Sequence, residues 1–179
     1  MPLVPFPRLA LAAATLLATA ITFAPLSAGG AQQSTRPMDF LDVQLLRQVG
    51  GAAPSPDGQW LLYTLSTHDW KEARRQTDIS LVSTARGVPS TKQLTFTKDK
   101  NESQPRWSRD GAFFVFTSNR EAPANASGRN QLYVMRPDGG EARRVTEAAE
   151  GVSTFAFDAA GKWLVYRSGK ADEEQLYAL

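Results

Sequence analysis

Ser108-Arg109-Asp110-Gly111-Ala112-Phe113-Phe114-Val115-Phe116 is a tight turn feeding an apolar strand. Ser and Asp side chains bond neighbouring backbone, and Gly accepts a positive φ. Phe113 to Ser118 is aromatic-rich and continuous, the pattern of a strand buried on both faces. The string returns on either side: Asp57-Gly58-Gln59-Trp60-Leu61-Leu62-Tyr63 precedes it, and Ala160-Gly161-Lys162-Trp163-Leu164-Val165-Tyr166 follows. The three glycines are 53 and then 50 residues apart. A second block, Asp78-Ile79-Ser80-Leu81-Val82, matches Gln131-Leu132-Tyr133-Val134-Met135 and Gln175-Leu176-Tyr177-Ala178-Leu179. A third, Lys92-Gln93-Leu94-Thr95, matches Arg143-Arg144-Val145-Thr146. Ordered blocks that return with a shared period define a repeat architecture.

The middle copy reads as one complete unit. Gln104 to Ser108 is a short strand, Phe113 to Ser118 a second, Gln131 to Arg136 a third, and Glu141 to Thr146 a more polar fourth that suits a sheet edge. Pro137-Asp138-Gly139-Gly140 turns the chain between the last two. Four antiparallel strands with a period near 50 residues describe a propeller blade. A single blade cannot cover both its apolar faces, and stacking does so, which explains why each copy repeats the aromatics. A sandwich of unrelated strands does not require such repetition. The sequence therefore predicts an all-β partial propeller of about three four-stranded blades, at 51–97, 103–147 and 152–179. The third blade is incomplete, and the chain is expected to be a piece of something longer. Ring closure by several chains is the competing expectation.

The chain has 179 residues, a formal net charge of +2 and no cysteine. Interspersed charge makes no case for nucleic acid or an anionic membrane. Without cysteine, disulfides, thiolate metal sites and cysteine nucleophiles are excluded; with His68 as its one histidine, so is a multi-histidine metal site. No cofactor is expected. The N-terminus differs from the rest: Arg8, an apolar run from Leu9 to Ala24, Pro25, then Ser27-Ala28-Gly29-Gly30-Ala31. This pattern predicts a signal peptide over 1–31, and a periplasmic or secreted protein free of the membrane once cleaved. An uncleaved anchor is the alternative, on a run slightly short for a span. A linker and short helix are expected over 32–50, the helix running from Asp39 to Val49. Asp42 is the candidate N-cap, Val43, Leu46 and Val49 share a face, and Gly50-Gly51 stops the helix.

Asp42-Val43-Gln44-Leu45-Leu46-Arg47 followed by Ala53-Pro54-Ser55-Pro56-Asp57-Gly58-Gln59-Trp60 resembles the start of the propeller of prolyl-oligopeptidase-family serine peptidases, in the acylaminoacyl-peptidase and dipeptidyl-peptidase branch. Pro105 to Gly111, Phe116 to Arg120 and Gln131 to Met135 fit the same pattern, and similar repeats occur in TolB-type propellers. The resemblance spans roughly 40–179. It implies a C-terminal α/β-hydrolase domain carrying a Ser-Asp-His triad as partner, a propeller that gates or positions peptide substrate, and no catalytic residue in this chain. No G-x-S-x-G elbow exists; Gly151-Val152-Ser153 is followed by Thr154-Phe155. The alternative is a TolB-like periplasmic binding propeller without enzymatic activity.

Other candidates reduce to structure. His68-Asp69 lacks a nucleophile and is expected in a polar loop. Asp57 and Asp110 serve turns, and the third copy has Ala160 instead. Trp60, Phe113, Trp163, Tyr63, Phe116 and Tyr166 fit packing between blades. Asn101-Glu102-Ser103 and Asn125-Ala126-Ser127 match a glycosylation tripeptide that is frequent by chance. Connections 67–77, 97–103, 119–130 and 147–151 share the face opposite the tight turns, where binding is usually placed. Trp70 with Lys71, Arg74 and Arg75 is an aromatic-basic cluster there, expected to meet the hydrolase domain or a peptide.

Overall fold

The computed structural model describes residues 36–123 and 129–179. The leader over 1–31 and the tripeptide Asn125-Ala126-Ser127 lie outside the described residues. From Met38 to Leu179 the chain folds as one unit of three antiparallel sheets, a partial β-propeller. After a helix α1 (Phe40–Gln44), the first blade runs β1 (Gln48–Pro54), β2 (Trp60–Asp69), β3 (Arg74–Ser83) and β4 (Gly87–Gln93), hydrogen-bonded in that order. The second repeats the meander with β5 (Glu102–Trp107), β6 (Phe114–Ser118), β7 (Gln131–Met135) and β8 (Arg143–Arg144). The third sheet holds β9 (Thr154–Phe157), β10 (Leu164–Ser168) and β11 (Gln175–Ala178).

The N-terminal segment differs from expectation. The helix has five residues, and its N-cap is Asp39, not Asp42. Asp39 Oδ1 accepts from the Asp42 amide and Asp42 Oδ2 from the Asp39 amide, both at 3.0 Å, a reciprocal capping box. Val49, Gly50 and Gly51 continue no helix; they belong to β1, with Val49 opposite Leu65 and Gly50 opposite Thr64. The inner edge of β2 needs a hydrogen-bonding partner, and satisfying a strand's backbone outweighs a weak helical period. Gly51, at φ 57°, sits where the β1 register shifts, and Gln104 at φ 53° repeats the irregularity in β5.

Side-chain alternation divides each blade between two seams. Leu62, Ile79 and Leu81 of the first blade pack with Phe114, Phe116, Tyr133 and Met135 of the second. Val115 and Leu132, on the other face of the second blade, pack with Val152, Phe155 and Leu164 of the third. Every residue of β6 is buried, as its continuous apolar run predicted. Each fully buried Leu or Phe contributes about 1.5–3 kcal/mol to the stack. Trp60 and Phe113 pack against the first and second seams respectively. Trp163 holds the equivalent place on the third blade, pointing away from the second, and is 57% exposed.

The tight turns explain the repeated motif atom by atom. In the second blade Ser108 Oγ donates to Asp110 Oδ1 at 2.7 Å and accepts from the Phe113 amide at 3.1 Å, while Asp110 Oδ1 accepts from Ala112 at 3.0 Å. Ser55 and Asp57 do the same for Gln59 and Trp60. In the third turn Ala160 replaces the aspartate, yet the geometry survives. Asp158 stands at the serine position, and its Oδ1 alone accepts from Lys162 at 2.6 Å and Trp163 at 2.9 Å. The third repeated block has a structural cause too. Thr95 and Thr146 are buried, and their hydroxyls accept from the Ile79 and Leu132 amides at 2.8 and 2.9 Å, hooking the outer strand to its neighbour.

Candidate functional site

The expected loop over 67–77 is mostly strand. β2 and β3 form a long hairpin in which His68 faces Arg75 and Asp69 faces Arg74. Regular pairing out to the tip satisfies backbone that a loop would leave to water. His68-Asp69 is thus strand, and Asp69 Oδ1 serves the tip, accepting from Lys71 and Glu72 at 3.1 and 3.2 Å. That carboxylate orients no imidazole.

The aromatic-basic cluster is dispersed. Trp70 at the hairpin tip meets Phe40 of α1 edge to face, centroids 6.4 Å apart, with Lys71 Nζ 5.7 Å from its ring. Arg74 pairs with Glu72 and, at 3.0 Å, with Asp99. Arg75 donates to Gln48 Oε1 at 2.9 Å and to Ser66 Oγ at 3.0 Å. Neighbours in a strand project to opposite faces, so the two arginines cannot converge. What gathers at this end is apolar: Phe40, Leu41, Leu45, Leu46 and Val49 are each more than half exposed, beside a part-exposed Trp70.

The tight-turn face carries a groove of about 870 Å³ along the first seam, lined by Trp60, Trp107, Arg86, Lys92, Asp57 and Asp110 among others. The two seams differ at one turn position. At the second seam Arg109 spans the gap, donating to the Ala159 carbonyl at 2.7 Å and filling the space above Gly161. Pro56 holds the equivalent position at the first seam and reaches only to van der Waals contact with the site of a Gly111 Cβ. Asp57 is held below the usual carboxylate range by the Ser55 hydroxyl and the Gln59 amide, and Asp110 by Ser108 and Ala112. Aromatic faces with charges of both signs suit an extended polar chain. Ser55 and Ser90 line the groove, but their hydroxyls donate to Asp57 and to the Gly87 carbonyl. The hydrogen bonds that lower Asp57 make it a weak base toward the Ser55 hydroxyl it holds.

Sequence reasoning missed the polar cluster at the opposite end of this seam. Glu102 is fully buried and Asp78 nearly so. Glu102 Oε1 accepts from Ser118 Oγ at 3.0 Å and from Arg120 at 3.3 Å; Asp78 Oδ2 accepts from Gln76 Nε2 at 2.9 Å. Burial raises both carboxyls above their ordinary range, Asp78 against the pull of Gln76 and Thr95, Glu102 against Ser118, Arg120 and Thr97. The Arg120 guanidinium lies 4.8 Å from the Tyr133 ring centroid and 5.4 Å from that of Phe116. Burial, with help from the Glu121 charge, pushes the Tyr133 phenol up to about 12. One signal was available: Asp78 stands where the other two copies have Gln131 and Gln175.

No family model matches the chain. Dipeptidyl-peptidase 5 of Porphyromonas endodontalis is 28% identical over 161 residues, covering 88% of this chain and 22% of that protein. The uncharacterized peptidase YuxL of Bacillus subtilis is 33% identical over 114 residues, covering 63% of this chain and 16% of that protein. The chain thus spans about a fifth of the length of the curated relatives it matches. Among solved structures, TolB from Acinetobacter baumannii superposes with a TM-score of 0.53 at 22% identity, over 72% of this chain and 29% of that one. The fold likeness shows a β-propeller, and the two sequence relatives are peptidases by name.

Proposed function

We propose that this peptidase-family propeller segment is the non-catalytic part of an exported serine peptidase, in which a C-terminal α/β-hydrolase domain cleaves peptides that the propeller admits and positions. The export signal over 1–31 directs the protein to the periplasm or beyond. The observation that carries the reading is the apolar surface of α1 and the Trp70 tip. Large apolar side chains gathered and exposed at one end mark a surface that another body covers, and in this reading the hydrolase domain is that body. Dipeptidyl-peptidase 5 and YuxL, both peptidases by name and several times longer than the matched segment, support the assignment.

Phe40→Asp combined with Trp70→Ala in the intact protein tests it. Limited proteolysis should cut faster between propeller and hydrolase domain, and KM for peptide substrates should change. Unaltered proteolysis and kinetics would remove this surface from any docking role. The other reading, a TolB-like binding propeller, predicts that a fluorophosphonate probe labels no serine of the intact protein; labelling favours the peptidase.

A further inference from the structure

We infer that Asp78 and Glu102 hold a single shared proton and form a pH-sensitive latch across the seam between the first two blades. Thr77 bridges Asn101 in a parallel pairing, which sets the next residue on each strand, Asp78 and Glu102, side by side across the seam. Asp78 Oδ1 and Glu102 Oε2 are both buried without a hydrogen-bond partner. Thr95 and Thr97 reach the two carboxyls, yet one buried oxygen of each stays without a donor, which is costly; one proton placed there supplies it.

The surrounding charges leave room for that proton. Arg120, following β6, contacts Glu102. Among the described residues, Arg74 is engaged with Glu72 and Asp99, Arg75 with Gln48 and Ser66, and Lys100 with the Ala122 carbonyl, while Lys98 is exposed to solvent. One guanidinium therefore answers two carboxylates. The second blade shows what the position requires. Gln131, the counterpart of Asp78, donates through Nε2 to the Ala148 carbonyl at 2.7 Å and accepts through Oε1 from Thr146 and Ala148. A side chain that both donates and accepts stands in that copy, and an aspartate matches it only when protonated.

Burial favours the protonated form, and the two groups titrate as a unit. A carboxyl raised in the folded state contributes its full stabilisation below the unfolded value of about 4, and loses it as pH rises through the folded value. Above that point two like charges face each other in the seam, and the proton has gone to solvent. The seam then opens at the end that carries the long connections.

The test is amide hydrogen exchange on the intact protein between about pH 5 and 8, corrected for intrinsic exchange, and read at residues 76–80 and 100–104. Protection there should fall with rising pH in the wild type. Asp78→Asn places a permanent donor against Glu102 and should hold protection flat, as should Glu102→Gln, while second-seam amides at 154–157 and 164–166 stay unchanged in all three. A flat wild-type profile refutes the latch, and so does an undiminished pH slope in both variants. Protection restored at high pH by calcium and lost to chelator also refutes it, since a cation would then occupy the place assigned to the proton.

Discussion

Replacing Phe116 by Ala tests whether the recurring aromatic is seam packing. Phe116 is fully buried, and its ring stacks on Tyr133 with centroids 5.9 Å apart and lies 5.7 Å from Phe114. Removing a buried Phe costs about 3–5 kcal/mol. Two aromatic partners, each worth about 0.5–1.5 kcal/mol beyond area, place the cost in the upper half of that range. For a unit of this size the melting temperature should fall by about 8–20 °C, at roughly 2–4 °C per kcal/mol. Tyr63 and Tyr166 occupy the same strand position in the other blades, yet both keep some solvent contact. Tyr63→Ala should cost about half as much, in proportion to the area it removes from water. Tyr166→Ala should fall between the two, because Tyr166 stacks on Tyr177 at 5.2 Å. Urea unfolding followed by tryptophan fluorescence reads all three, since Trp60 and Trp107 flank the first seam. Phe116→Leu keeps most of the volume and should recover most of the loss, which guards against a variant that does not fold. Equal costs for Phe116→Ala and Tyr63→Ala, within about 0.5 kcal/mol, would refute stacking between blades as the reason for the repeat.

Further outcomes follow from single atoms. Asp158→Ala should lower the melting temperature more than Asp57→Ala, because the first turn keeps Ser55 Oγ on the Trp60 amide at 2.9 Å while the third keeps no side-chain acceptor, only its backbone bonds; Asp158→Ser should restore part of the difference. Gly151→Ala forces a left-handed φ of 78° and puts a Cβ 2.8 Å from Arg129 Cα, so it should cost about 1–3 kcal/mol in urea. Gly58→Ala, at φ 70° with open space around it, should cost about 1–2 kcal/mol from backbone strain alone. The turn carboxylates Asp57, Asp110 and Asp158 are held low by hydrogen bonds to their charged forms. Their contribution is complete above the unfolded value near 4 and is lost as pH falls through the folded values. An acid melt should therefore be steeper for the wild type than for a variant lacking all three.

Much of the fold was legible because it is periodic. Turn residues act within five positions of themselves, and strand faces alternate every second residue, so Ser108, Asp110, Phe114 and Phe116 could be assigned from local spacing. Asp158 was passed over because it stands at the serine position, where the motif does not look for an aspartate. The helix was carried too far because Val43, Leu46 and Val49 keep a helical period whichever way the backbone is paired, and only β2 decides that Val49 is strand.

By itself, then, the sequence determined the repeat, its turns and the buried run of β6, since each of these is a property of one segment and its period. Tertiary structure alone decided the rest. Whether Pro56 leaves a groove where Arg109 fills one, whether Trp70 meets Phe40, and whether Asp78 stands beside Glu102 depend on how one sheet sits against the next. Residues many positions apart in the chain meet there, and the distance between them is set by packing, which no local pattern encodes.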